Sequence, residues 1–427
     1  MGLWNWLRRL LIGGETRSTG SRERGGTQRR RRARLTPLEH RQRKADRLRK
    51  RFAVSGIYKD SVKTRPYRFA SPSVLGGFLD LARDGDSSRL QAAGLPVFQT
   101  PQELADWLQM PPGVLAWLTH RFHEHQRPAT VKRSHYHYQW IAKRSGDRRL
   151  LEIPKPRLKA AQEKILREIL DHVPPHSAAH GFVTGRSIKS NAEPHVSQRV
   201  VVKFDLENFY PSVRYSRVVA NFRSLGYSRE AAVWLGRLTT SITPPIGTLQ
   251  PLATEAEWQP YATRHLPQGA PTSPALANLS AFGLDLRLAG LARTFHANYT
   301  RYADDLTFSG SERFLKSLRV FIPLVMQIVR QERFQVKLSK RKVIRNSQQQ
   351  RICGVVVNDQ INIPRREFDR LKATLTNCVR RGPATQNHGR HPDFAAHLRG
   401  RIAHVSHLHP GRGSKLLELF EQIDWSG

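Results

Sequence analysis

Asp304 and Asp305 are neighbours in the stretch YTRYADDLTFSG, between two runs that read as β-strand. Adjacent carboxylates repel and resist joint ionisation, and aspartate is a poor strand former. The pair therefore calls for open water or a cation. A third carboxylate, Asp205, ends the strand-like run RVVVKFDL earlier in the chain. If folding brings the three together, they offer the oxygen donors that a pair of Mg2+ ions takes alongside substrate phosphates. Metal charge then lets adjacent carboxylates stay ionised at neutral pH. Two such ions, about 4 Å apart, activate an attacking hydroxyl and stabilise the leaving oxygen of an in-line displacement. Taken alone, an Asp-Asp pair reads equally well as two exposed turn residues.

A metal pair needs a rigid support. The strands flanking Asp304 and Asp305 suit a hairpin that presents the acids at its turn. HYHYQWIAK and RRLLEIP flank the turn-rich RSGD, which predicts a β-hairpin over Tyr136–Pro154 with a basic tip. PRLKAAQEKILREIL reads as a helix, and PTSPALANLSAFGLDLRLAGLA as one long helix opened by Thr272 or Ser273 with Pro274 in its first turn. PQELADWLQMPPGVLAWL spaces its leucines and tryptophans as a small helical hairpin, the aromatics serving its core. Short strands follow near Lys342 and Ile352, and the segment from Arg365 to Trp425 is mainly helical. This mixed order predicts an α+β protein, a sheet with helices on one face.

Composition names the partner's charge. With 427 residues and 39% hydrophobic content, the chain can bury a real core. Lys and Arg number 71 against 34 acidic residues, a formal net charge of +37, which points to a polyanion. The first fifty residues hold 16 basic and 4 acidic side chains, including RRRRAR at Arg29–Arg34, so residues 1–66 are expected to form a basic, flexible arm. Cys353 and Cys378 supply neither a disulfide framework nor a zinc set. No run reaches the length of a membrane span, and Arg8 and Arg9 break the N-terminal apolar stretch. A cytoplasmic protein with no membrane partner is expected.

FDLENFYPS from Phe204, LPQGAPTSP from Leu266 and YADD from Tyr302 occur in that order, and together they resemble the palm motifs of reverse transcriptases. HGFVTGRSIKSNAEPHV, with Asn191, Ala192 and His195 in an NAxxH pattern, and YADDLTFSG resemble those of retrons. The likeness runs from about Phe98 onward. It implies a right-hand polymerase: a helical N-terminal region over 67–130, fingers and palm over 131–358, and a helical thumb over 359–427. It implies that Asp205, Asp304 and Asp305 bind two catalytic Mg2+ ions, with the Leu206 carbonyl as a further ligand. Tyr210 takes the bulky position facing the sugar of the incoming dNTP, and Gln268 and Gly269 the loop beneath nucleotide and template. Lys143 and Arg149 match the finger residues that grip triphosphate. Lys342, or Lys340 beside it, matches a basic residue near the leaving pyrophosphate. Asn191 and His195 are implied to contact RNA, although either could instead fix a loop. Ile352, Cys353 and Gly354 replace the Val-Thr-Gly frequent in the family.

By the same resemblance, the activity is RNA-directed DNA synthesis from the 2′-hydroxyl of an internal guanosine in a structured non-coding RNA. Its product is branched msDNA with a 2′,5′ link, made within an anti-phage defence system that has a separate effector protein. Two alternatives stay open: an intron- or diversity-element-type reverse transcriptase, and a non-catalytic RNA-binding scaffold.

Overall fold

Proline placement and helical periodicity set the first elements. The computed structural model describes residues 84–119, 128–143, 146–249 and 253–425. The chain divides into two units, Met1–Gly56 and Ile57–Gly427; the first unit, and the whole of the expected basic arm over 1–66, lie outside the described residues. Helices α1 (Ser87–Ala92), α2 (Pro101–Trp107) and α3 (Pro112–Thr119) open the described chain. Thr100 and Glu103 close a capping box on α2, and Leu104, Leu115 and Leu118 are buried. The Trp107 indole donates to Glu168 at 3.0 Å, and its ring packs on Phe98.

Strands β1 (Tyr136–Ala142) and β2 (Arg148–Pro154) pair antiparallel, with Tyr136 opposite Pro154 and Ala142 opposite Arg148. Helix α4 (Pro156–Glu168) follows, burying Leu158, Ala161 and Ile165 at helical spacing. Next come α5 (Ile188–Ala192), β3 (Val200–Asp205), α6 (Phe209–Ser212), α7 (Tyr215–Leu225), α8 (Arg229–Thr239) and α9 (Glu255–Trp258). The bidentate Arg148–Glu257 pair, at 2.6 and 2.7 Å, ties the hairpin to α9.

The expected long helix after Thr272 is two: α10 (Ser273–Ser280) and α11 (Phe282–Thr294). At Ala281 the amide is shared between the carbonyls of Ala277 and Asn278, at 2.9 and 3.2 Å, which tightens the turn and ends the first helix. Strands β4 (Ala297–Tyr302) and β5 (Asp305–Gly310), helix α12 (Glu312–Gln331) and strand β6 (Lys342–Arg345) complete the central elements. The sheet runs β4-β5-β3-β6 with every neighbour antiparallel.

Period-2 alternation divides this sheet between two cores. Val200, Val202, Phe204, Leu306 and Phe308 join the main core, with Leu284 and Leu288 of α11 and Phe314, Phe321 and Val325 of α12. Val201 points the other way, into a second core built by β7 (Arg351–Ile352), β8 (Val355–Val356), α13 (Arg365–Arg381), α14 (Phe394–Leu408) and α15 (Pro410–Glu421). Asp205 and Lys203 share the Val201 face by the same alternation. Among the described residues no helix is long and apolar enough to cross a membrane.

Candidate active site

Strand register brings the acids together. Asp205 is the direct cross-strand partner of Asp305, and Tyr302 pairs with Asp305 across the β4–β5 turn, leaving Ala303 and Asp304 as its tip. Ala303 takes a left-handed conformation, φ 55°, and the Asp304 carbonyl accepts the Leu206 amide at 2.9 Å. Burial, then the charges of Asp205 and Asp305, hold the Asp304 carboxyl up at about 6. Burial also raises Asp305, against the pull of Lys203, whose ammonium stands 4.0 Å away. Lys340 reaches Asp205 at 2.8 Å. The donor set is all oxygen and short of positive charge, which fits a hard divalent cation. Among the described residues no three side chains enclose an ion by themselves, in keeping with Mg2+ sites that share their ligands with substrate phosphates.

Asp205, Leu206 and Asp304 open onto a cleft of about 940 Å3. Lys143 and Arg149 of the β1–β2 hairpin, Tyr210 and Gln268 line the same space. Lys337 also lines it, bridging to Asp147 at 3.0 Å. Gly269 has φ 127°, and a side chain there would begin 3.1 Å from the Glu152 carbonyl. Its smallness thus lets the loop lie against β2, whose Glu152 amide donates to Gln268 at 2.8 Å.

Residues 141–357 match the family model described as reverse transcriptase (RNA-dependent DNA polymerase). The chain is 40% identical over 342 residues to the retron Mx65 reverse transcriptase of Myxococcus xanthus, an alignment covering 78% of this chain and 73% of the relative. It is 34% identical over 350 residues to the retron Mx162 enzyme of the same organism, with 79% and 69% covered. To the retron Ec86 reverse transcriptase of Escherichia coli it is 30% identical over 290 residues, with 67% and 80% covered. The chain belongs to the retron reverse transcriptases. It is accordingly an RNA-directed DNA polymerase, a nucleotidyltransferase that works with an RNA template, dNTPs and a divalent metal. Its α+β sheet, basic hairpin and C-terminal helices form the right-hand polymerase fold.

Three expectations for this retron reverse transcriptase change in the structure. Lys342 lies on β6 opposite Lys203 and does not line the cleft; the Leu338–Lys340 turn ahead of that strand aims Lys340 at Asp205 instead. His195 is 0% exposed, with its ring nitrogens 2.7 Å from the Ser309 hydroxyl and 2.8 Å from the Thr300 hydroxyl. Asn191 is buried as well, its amide nitrogen 3.6 Å from the Cys353 sulfur and its backbone carbonyl accepting from Thr300 at 3.2 Å. Both side chains are buried inside the protein, the His195 ring held by two hydroxyls while the Asn191 side-chain oxygen has no hydrogen-bond partner among the described residues. The His195 bonds and the Asn191 carbonyl lock α5 and its following turn to the sheet, so direct RNA contact gives way to loop anchoring.

That anchoring has a pH signature. Burial, then the neighbouring His180, push His195 down to about 3, and burial with Arg186 pushes His180 to about 4. Both rings are neutral in the fold but protonate near 6.5 when unfolded. The unfolded chain therefore binds more protons below that pH, and stability falls as pH drops from 6.5 toward 4. Between pH 7.5 and 5, His195 accounts for about 2 kcal/mol of the loss. Urea unfolding of His195→Gln at the two pH values should show a smaller difference than the parent; an equal difference refutes this assignment.

Sequence reading missed the support beneath the acids. Arg301 is 0% exposed; it forks onto Asp285 of α11 at 2.8 and 2.6 Å. Its remaining nitrogen donates to Asn278 of α10 at 2.9 Å and to the Ala303 carbonyl at 3.1 Å. Tyr299 donates to the same aspartate at 2.8 Å. One guanidinium thus joins two helices to the turn that carries Asp304. Strand alternation held the signal: Tyr299 and Arg301 fall on the face that turns toward the helices, where an unpaired charge is costly.

Proposed function

We propose that this reverse transcriptase copies part of a structured non-coding RNA into single-stranded DNA, beginning at the 2′-hydroxyl of an internal guanosine. The product is msDNA with a 2′,5′-phosphodiester branch, and the enzyme serves an anti-phage defence system with a separate effector protein. Kinship with three retron enzymes supports the subtype, and Asp205 and Asp304 sharing one cleft with Lys143 and Arg149 of the basic hairpin support the chemistry. The single observation that carries the polymerase reading is the Asp205–Asp305 register beside the Asp304 turn. Fingers and palm span 131–358, and the thumb spans 359–427.

Two Mg2+ ions held by Asp205, Asp304, Asp305 and the Leu206 carbonyl would supply the charge that activates a hydroxyl and stabilises departing pyrophosphate. Lys143 and Arg149 grip the triphosphate from the hairpin, Arg149 with a forked contact. Lys340 stands next to the acids, where an ammonium can neutralise and protonate the leaving group. Lys340→Ala should slow extension about tenfold and Lys342→Ala less than about twofold, in steady-state assays; the reverse ranking returns the role to Lys342. Tyr210 places its ring where a ribose 2′-hydroxyl would clash. Tyr210→Ala should admit rNTPs, and unchanged dNTP-to-rNTP selectivity removes that steric role.

The subtype is tested by expressing the protein with its flanking sequence and isolating cellular nucleic acid. A single-stranded DNA that shifts on debranching, and is absent with Asp305→Asn, supports the branch. Activity on a generic RNA template with no such DNA would leave polymerisation standing and remove the 2′ start.

A further inference from the structure

The loop of residues 176–186 is sewn onto β4. Ala179 bridges Arg301 in parallel, the Arg301 amide donates to Ala178 at 2.7 Å, and the His180 amide donates to the Arg301 carbonyl at 2.8 Å. Asn278 holds the Gly181 carbonyl at 2.9 Å. A side chain at Gly181 would begin 2.7 Å from the Ala303 amide nitrogen, so the loop backbone lies directly on the turn that carries Asp304.

Phe182 comes next. Its φ is 59°, a conformation that bulky residues adopt at a cost. Its ring is 58% exposed and lines the cleft with Tyr210, Gln268 and Asp304. The Tyr302 ring lies 6.3 Å away, tilted by 41°. Folding explains neither the strain nor the exposure, because an exposed ring adds little to a core and glycine would relax the backbone. Strain kept beside reacting groups points to function.

We propose that Phe182 is a substrate-contacting residue that packs on the terminal base pair of the template–primer duplex, beside Tyr302, and selects properly paired ends. The contact presupposes polymerisation at this site, with the primer's terminal hydroxyl beside Asp304: Gly181 lies on Ala303, the residue before Asp304, and the Phe182 ring stands beside Tyr302. An apolar ring suits any base pair, since every base offers a π face, and it supplies affinity without sequence preference. A pair of the wrong shape loses that contact.

The test is Phe182→Gly, with Phe182→Tyr as the conservative control, on an RNA template with a recessed DNA primer. Phe182→Gly should melt at or above the parental temperature, because strain is relieved, and yet extend with kcat/KM about tenfold lower. Its preference for matched over mismatched primer ends should also fall, while Phe182→Tyr stays near parental in all three. Affinity for the hybrid in metal-free buffer, by fluorescence anisotropy, should weaken several-fold with glycine. Parental extension and affinity in Phe182→Gly overturn the contact, as does a melting temperature that falls in step with activity, which would make the ring structural. If the parent itself fails to extend, polymerisation at this site is refuted, while the metal-free affinity still decides whether Phe182 touches the duplex.

Discussion

Asp304→Asn should extend a primer on RNA on the order of a thousandfold more slowly than the parent, a loss of about 4 kcal/mol in transition-state stabilisation. Its folded state should be as stable as the parent's or more so. Asp304 is the acid whose charged form is most strongly disfavoured, through burial and then through Asp205 and Asp305. Replacing it with a neutral isostere removes that repulsion along with the metal ligand. Activity and stability thus move in opposite directions, as they do where a site is strained for function. Rapid-quench extension and urea unfolding on the same preparation separate the two. Near-parental extension by a folded Asp304→Asn protein would falsify its catalytic role.

Arg301→Met should lower unfolding free energy by about 3–5 kcal/mol, because Asp285 is left charged, buried and unpaired. Arg301→Lys should recover only part, since an ammonium cannot fork onto Asp285 and also reach Asn278 and the Ala303 carbonyl. The sharper experiment removes the whole polar cluster: Arg301→Met with Asp285→Leu and Tyr299→Phe. Apolar replacement of a buried ion pair is frequently neutral, so most stability should return. Extension should stay depressed, because nothing then tethers the Ala303 carbonyl behind Asp304. Full recovery of both quantities would reduce Arg301 to a core residue with no hold on the turn.

The acids were legible in the sequence because hairpin spacing and strand ends show without side-chain detail. So were the β1–β2 hairpin and the helical C-terminal segment, whose patterns are local. What stayed hidden depends on packing. Lys340 and Lys342 differ only by a short turn that sends one toward Asp205 and the other along β6. The break at Ala281 carries no proline, and the Gly283 beside it sits inside the first turn of α11 instead of ending α10. His195 read equally as an RNA contact or as a loop anchor, and the choice waits on Thr300 and Ser309, which project from the Asp305 face of the sheet and needed a polar partner there. Its role follows once those strands are paired, which sequence spacing alone does not do.

The division of β3 between two cores bears on how such enzymes can be recombined. Val201 and Ala192 belong to the hydrophobic core of the C-terminal helices, while Val200 and Val202 belong to the palm. A chimaera that takes its thumb from a relative and joins it after Pro364 would set foreign side chains against a resident strand ending in Asp205. The seam between the modules runs along alternate residues of one strand, so a thumb brings with it a demand on the strand that holds Asp205. Exchanging the C-terminal helices between relatives therefore requires Ala192, Val201 and Ile352 to travel with them.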